Sequence, residues 1–416
     1  MYDLLIKGGM VIDPAQDLNA ALDVAVTAGR IARLDKSIPV SEGKDVIDAS
    51  GKIVSPGLID LHAHVYRQGH TIDADEFCGV GAGVTSIIDA GSAGAPDFSD
   101  FLETVIRPSH SRIYSFLYNH WWPDGTEPEE ALHKDRHIEV EGVIELAEAH
   151  PDIVKGVKVA VMPPITRKYG LEPVVRGREA ARATGLRLML HIGDIGAPHL
   201  DATPPELTSQ ALDLLEPGDI LTHVFSPLTG GGLDAEGHIL PALRAARDRG
   251  VVMDAAMGDY QFSWAAAEAV LAEGILPGVI SSDIEIHSGL APSSEVMVKN
   301  RRVTGARVAS ELTLVEYMAY FFELGFALED IIRMTTSAPA SAAGIDAAAG
   351  SLGEGRPADI SVLELLTGRF TLTDVTGVSR VGEKAIVPTV TIKDGRRYPA
   401  SEGAHPWGFA PPPAAE

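Results

Sequence analysis

Along the first 55 residues, short apolar runs alternate with glycine-marked reversals. Leu4-Leu5-Ile6 precedes Gly8-Gly9, Val11-Ile12 follows, and Val24-Ala25-Val26 leads into Gly29. Alternation broken by such turns predicts short strands, here a small antiparallel sheet with no long helix. From about residue 56 the texture changes. Apolar runs at 57–62, 84–90, 112–118, 154–161, 187–191, 219–223, 251–256 and 278–283 are separated by helical stretches, among them 74–81, 140–149, 174–184, 207–215, 240–249 and 265–272. A continuous apolar strand is buried on both faces, and a helical crossover between two such strands makes them parallel. Eight of them predict a (β/α)₈ barrel. Helices at 312–324 and 328–334 cover the last strand, and a short helix capped by 335–339 ends near Gly344.

After Gly353 the β texture returns at 359–363, 370–372 and 386–395. These runs are expected to complete the sheet begun at the N-terminus. The fold class is therefore α/β: a TIM-like barrel over 56–352, inserted in a small discontinuous β-sandwich domain made of 1–55 and 353–404. Residues 405–416, with three consecutive prolines, read as a Pro-rich tail without a fold of its own.

In such a barrel the active site lies at the carboxyl ends of the strands. The residues that end the apolar runs are therefore the candidates. The first run ends in His62-Ala63-His64, and on a strand residues i and i+2 share a face, so both imidazoles project together. The fourth carries Lys158, the fifth ends in His191, the sixth in His223 and the eighth in Asp283. Four histidines, one lysine and one aspartate would converge at one mouth. Neutral imidazoles with a carboxylate suit zinc or a similar borderline ion better than calcium or magnesium. A two-metal site needs a bridging anion, which a lysine carbamylated by carbon dioxide supplies. Water held there would have its pKa lowered towards neutrality, with Asp283 placed to take its proton.

The strand-four run holds two lysines, Lys155 and Lys158, on opposite faces of a regular strand. Val157, Val159 and Val161 share the face of Lys155, and such an apolar row belongs against the outer helices. Gly156 and Ala160 share the face of Lys158, where small residues leave room at a barrel mouth. Lys158 is therefore the expected bridge.

Composition narrows the picture further. The 416 residues carry a net charge of -24, so no basic footprint for nucleic acid exists. The single Cys78 cannot form an intramolecular disulfide. Asp3 stands where a signal peptide would be basic, and no uncharged apolar stretch reaches the ~20 residues of a membrane helix. A soluble cytoplasmic protein, not a membrane partner, is the expectation.

The ordered ligand series resembles that of the amidohydrolase superfamily, and the resemblance covers nearly the whole chain. The stretch 54–64, Val-Ser-Pro-Gly-Leu-Ile-Asp-Leu-His-Ala-His, looks like the strand-one signature of that superfamily. Residues 351–360 look like its exit motif into the flanking β-domain. More narrowly, Asp89-Ala-Gly-Ser-Ala-Gly94 and Gly156-Val-Lys158 resemble the dihydroorotase-like amidohydrolase/deacetylase group. The resemblance implies a binuclear metal centre, usually zinc, held by His62, His64, carboxylated Lys158, His191, His223 and Asp283. It also implies hydrolysis of a small N-acyl or O-acyl compound.

Two departures bear on specificity. Dihydroorotases have an arginine two places after the second histidine, where this chain has Tyr66, with Arg67 adjacent. The deacetylase-like group has an arginine two residues after the carboxylated lysine, where this chain has Ala160. The chemistry is expected to persist while the substrate differs. Candidate substrate contacts are Tyr66, Arg67, Ser92, His120, Trp121 and His287.

The expected function is thus a binuclear-metal-dependent hydrolase of an amide or ester bond, in a chain that forms a homo-oligomer. The alternatives are a cyclic amidase of dihydroorotase or hydantoinase type, or a non-catalytic barrel paralogue.

Overall fold

The computed structural model describes residues 1–66, 74–119, 138–163, 165–195, 202–258, 260–285, 295–298, 301–304, 312–403 and 407–414. Five strands open the chain: β1 (Tyr2–Asp13), β2 (Leu18–Thr27), β3 (Arg30–Asp35), β4 (Gly43–Asp48) and β5 (Ile53–Pro56). Eight more follow: β6 (Leu58–His64), β7 (Val84–Asp89), β8 (Arg112–Tyr118), β9 (Val154–Val161), β10 (Arg187–Ile192), β11 (Ile220–Thr222), β12 (Val252–Asp254) and β13 (Ile284–Glu285). They pair in parallel in the order β12-β11-β10-β9-β8-β7-β6-β13.

A parallel bridge between Asp254 and Val279 brings the eighth run back to β12, and Gly278 N donates to Met253 O at 2.7 Å. At its other end Asp283 N donates to His62 O at 2.7 Å. The eighth run therefore joins both edges of the sheet. Its regular pairing is confined to Ile284–Glu285 rather than 278–283, because Asp283 at φ 54 turns the chain out of the extended conformation.

Helices sit between the strands, notably Glu141–Ala149, Glu172–Thr184, Pro205–Asp213, Pro241–Asp248 and Trp264–Ala272. Val157, Val159 and Val161 join one buried cluster with Val143, Val174 and Ala180 from two of these helices. Phe116, Met189, Ile220 and Val279 belong to a separate cluster. The opposite face of β9 therefore turns away from the helices, and Lys158 lies on that face. Gly156 is small for a specific reason: a Cβ there would lie 2.6 Å from the Phe116 ring.

Beyond the antiparallel pair β14 (Glu295–Val298) and β15 (Arg301–Thr304) come helices Leu314–Glu323, Leu328–Met334 and Ser337–Ala342. The last strands are β16 (Ile360–Thr373), β17 (Ser379–Lys393) and β18 (Arg396–Pro399). They join the N-terminal strands in one sheet, in the order β18-β17-β16-β5-β1-β2-β3, with β4 paired to β1.

The N-terminal sheet expected to be antiparallel is mixed, since β1 runs parallel to β4 and β5. Side-chain alternation reports which face is buried, not which way a neighbour runs. The short runs 359–363 and 370–372 belong to one strand, β16, which carries register shifts opposite β17.

The sheet is tied to the start of β6: Gly57 N donates to Asp359 O at 2.8 Å and Leu58 N to Ser361 Oγ at 3.0 Å. The tail segment 407–414 is also anchored. Thr371 N donates to Pro412 O at 2.7 Å, and Trp407 Nε1 donates to Glu316 Oε1 at 3.2 Å. Among the described residues no helix is long and apolar enough to cross a membrane.

Candidate metal centre

Four histidines, one lysine and one aspartate stand at the carboxyl ends of the barrel strands. His62 is fully buried, and its Nδ1 lies 2.8 Å from Thr222 Oγ1 and 3.5 Å from Asp254 Oδ2. Its Nε2 lies 2.9 Å from Lys158 Nζ and 3.0 Å from Asp283 Oδ1. His64, two residues on, rests its Nδ1 2.9 Å from Ser92 Oγ and turns Nε2 to within 3.4 Å of Asp283 Oδ1. One donor atom from each of His62, His64 and Asp283 lies within 4.8 Å of the other two.

His223 and His191 complete the cluster, with ring centroids 4.4 Å apart and the His223 ring 5.1 Å from that of His62. His223 Nδ1 meets Ala256 O at 2.8 Å, and His191 Nε2 meets Gly193 O at 3.0 Å.

A common design emerges. In each imidazole one ring nitrogen is held by the protein and the other is left to ligate; for His191 and His223 the partner is a carbonyl, which also fixes the tautomer. His223 Nε2 shows this most plainly, being buried with no hydrogen-bond partner. A buried acceptor left unmet costs about 1–3 kcal/mol unless something external satisfies it. The donor set therefore fits divalent metal ions.

The electrostatics of His191 and His223 agree with that fit. Burial, then the charge of Lys158, holds His191 down at about 3, and burial, then His191, holds His223 well below the usual imidazole range. Both are neutral near pH 7, the form that ligates. Burial also pulls Lys158 down to about 8, against the carboxylates of Asp283, Asp254, Asp89 and Glu285. For Asp283 burial acts upward, but the charges of His62 and His223 and hydrogen bonds from His62 and His64 hold it well below the usual carboxylate range. His62 stays above its ordinary value: burial and Lys158 push it down, and Asp283 and Asp254 outweigh them.

Backbone strain gathers at the same ends. His223 (φ 69), Ala256 (φ 34) and Asp283 (φ 54) all occupy left-handed backbone without being glycine. Each such residue costs on the order of 1–3 kcal/mol and persists only where its surroundings enforce it. Gly258 answers Asp283, since a Cβ there would lie 2.4 Å from Asp283 Oδ2.

Of the candidate substrate contacts, Tyr66 is buried, donates to Asp100 Oδ2 at 2.9 Å and packs its ring 4.9 Å from that of Phe101. Ser92 orients His64. Arg67, His120, Trp121 and His287 lie outside the described residues.

Several site residues escape a sequence reading. Asp254 accepts from Ser281 Oγ at 2.6 Å and faces His62. Asp89 accepts from Val65, Gly91 and Ser92 N, shaping the turn that carries Ser92. Asp60, pushed up to about 6 by burial, takes hydrogen bonds from Ser282 Oγ and N beneath His62. Each is an acid inside an apolar run, where only its place in a ligand-ended strand could have marked it. A separate cavity of about 590 Å³ lies at the amino ends of β8 and β9. Its Arg112 and Lys393 are paired with Asp359 and Asp394.

Fold and donor set define a class: a parallel-barrel enzyme with a histidine-rich centre at the carboxyl ends of its strands. Residues 263–397 match the model of the amidohydrolase family. A deacetylase from Agrobacterium fabrum is 28% identical over 393 residues, covering 91% of this chain and 90% of its own. A crystal structure of an adenine deaminase superposes with a TM-score of 0.79 at 28% identity, over 96% of this chain and 100% of that one. A dihydroorotase crystal structure gives 0.76 at 25%, over 96% and 98%. Over nearly its whole length the chain is thus similar to enzymes of the amidohydrolase superfamily, and these likenesses support a hydrolase acting on C–N bonds.

Proposed function

We propose that the chain is a binuclear-metal-dependent hydrolase of the amidohydrolase/deacetylase type, cleaving an amide or ester bond of a small acyl-substituted molecule. The observation that carries this reading is the set of four imidazoles, each anchored through one nitrogen, gathered at the mouth that holds Asp283 and Lys158, with His62 and His64 turning their other nitrogen to Asp283. His62, His64, His191, His223 and Asp283 would hold two ions, most simply zinc, with carbamylated Lys158 as the shared ligand. When bound, such ions polarise a carbonyl and acidify water.

The chain's own residues then do the rest. Asp283 Oδ accepts the proton of the attacking water and returns it to the leaving nitrogen or oxygen. Thr222 and Ser92 orient the His62 and His64 rings, and the carbonyls of Gly193 and Ala256 keep His191 and His223 in one tautomer. Burial of Lys158 favours the neutral amine that carbon dioxide requires.

The similarity to a deacetylase over nine-tenths of both chains supports an acyl group as the part removed. Tyr66, turned to Asp100, leaves no arginine at the position expected to hold a dihydroorotate carboxylate. The test is a panel of N-acetyl amides, acetyl esters and cyclic ureides, run on zinc-loaded enzyme with bicarbonate. Turnover of acyl compounds that a chelator abolishes and zinc restores is expected. Activity only on cyclic ureides would favour the cyclic amidase, and chelator-resistant turnover would refute metal dependence.

A further inference from the structure

Asp254 ends β12 fully buried, and its two carboxylate oxygens have unlike surroundings. Oδ1 accepts from Ser281 Oγ at 2.6 Å, which pins the group in place. Oδ2 has no hydrogen-bond partner among the described residues. It lies 3.5 Å from His62 Nδ1, just beyond hydrogen-bond range. A buried carboxylate oxygen left unmet is costly, and an apolar side chain would fill the space without that cost. Its presence here therefore calls for an explanation.

His62 supplies one. To ligate through Nε2, the neutral ring must keep its proton on Nδ1. The carbonyls that hold His191 and His223 can only accept, so each dictates one tautomer. His62 Nδ1 meets instead the hydroxyl of Thr222 at 2.8 Å, which donates as readily as it accepts and so dictates neither. On the ligating side, Asp283 Oδ1 stands 3.0 Å from Nε2 and Lys158 Nζ 2.9 Å. Asp283, and Lys158 once carbamylated, would draw the proton to the wrong nitrogen. Only a charge on the Nδ1 side can balance them, and Asp254 is the carboxylate that stands there. In a dry interior that charge favours an N–H over a bare nitrogen facing it.

We infer that Asp254 is a positioning residue of the metal centre: its unmet oxygen keeps the ring proton of His62 on Nδ1 and so leaves Nε2 bare to ligate. The inference rests on the binuclear-metal reading. Thr222 orients the ring, Asp254 selects its tautomer, and Ser281 fixes where Asp254 points.

The Asp254→Leu, Ser281→Ala double variant tests this, because it removes the carboxylate together with the hydroxyl that depends on it. Replacing both partners of a buried hydrogen bond by apolar groups of similar shape is close to neutral for folding, and here an unmet oxygen goes with them. The metal-free double variant should therefore melt at or above the wild-type Tm. Its zinc affinity, measured by competition with a chromophoric chelator, should fall about 10- to 100-fold for at least one ion. Ser281→Ala and Thr222→Val leave the carboxylate in place and should lose clearly less. The direct signature is the His62 Nδ1–H signal in the NMR spectrum of zinc-loaded protein carrying isotope-labelled histidine, assigned by its absence from His62→Ala. It should survive in both single variants and vanish in the double variant.

A metal-free Tm lowered by several degrees would make Asp254 a structural residue and overturn the inference. So would wild-type zinc affinity in the double variant, an Nδ1–H signal retained there, or an equal loss of affinity in Thr222→Val. Those results would leave the binuclear reading standing, whereas wild-type protein that binds no zinc would overturn both.

Discussion

Lys158→Ala is expected to lose activity by at least about a hundredfold and to purify metal-poor, whereas Lys155→Ala remains active. The two lysines lie three residues apart on β9 and do opposite things. Lys158 is 4% exposed and reaches His62 Nε2 at 2.9 Å. Lys155 donates to Pro151 O at 2.6 Å, outside the barrel mouth. Removing Lys158 deletes the shared anionic ligand that its carbamate would provide and leaves the neighbouring imidazoles to hold like charges without it. The deletion can be repaired chemically. Acetate or formate is small enough to enter the space and supplies a carboxylate, so either should restore part of the activity and of the metal content of Lys158→Ala. Neither should affect Lys155→Ala. The reverse pattern would place the bridge on the wrong lysine.

Asp283→Asn should keep the fold and most of the metal, yet lower kcat by about 10²–10⁴-fold. The amide matches the carboxylate in volume and can still sit against Gly258, whose missing side chain makes room for Oδ2. It cannot accept a proton. The carboxylate is also held ionised: although burial acts upward, His62 and His223 keep its pKa well below the ordinary value. Near-normal turnover in this variant would put the base elsewhere. His287 would be the next residue to replace.

Much of this architecture is legible in the sequence because burial leaves a direct trace. A parallel strand covered on both faces must be apolar throughout, so the eight barrel runs stand out, and with them the histidines and the aspartate that end the first, fifth, sixth and eighth. His62 and His64 are legible as a pair because a strand repeats every two residues. The choice between Lys155 and Lys158 follows from the same period, and the Val157-Val159-Val161 row does pack in the cluster containing helix residues.

What escapes is whatever depends on contacts across the chain. Asp254 and Thr222 meet His62 from β12 and β11, on strands whose apolar pattern gives no sign of it. Asp60 looks like an interruption in an apolar run until Ser282 is found 2.5 Å away. The parallel pairing of β1 with β4 and β5 is invisible for a related reason, since alternation carries no direction.

The central claim is that His62, His64, Lys158, His191, His223 and Asp283 hold two metal ions, and metal content tests it most directly. Protein loaded with zinc in bicarbonate and freed of unbound ion should retain close to two zinc ions per chain by plasma mass spectrometry. His62→Ala and His64→Ala, prepared alongside, should each fall to about one or fewer, because each imidazole contributes a nitrogen directed at Asp283. Wild-type protein that retains no zinc, or metal content unchanged in both variants, would contradict the account.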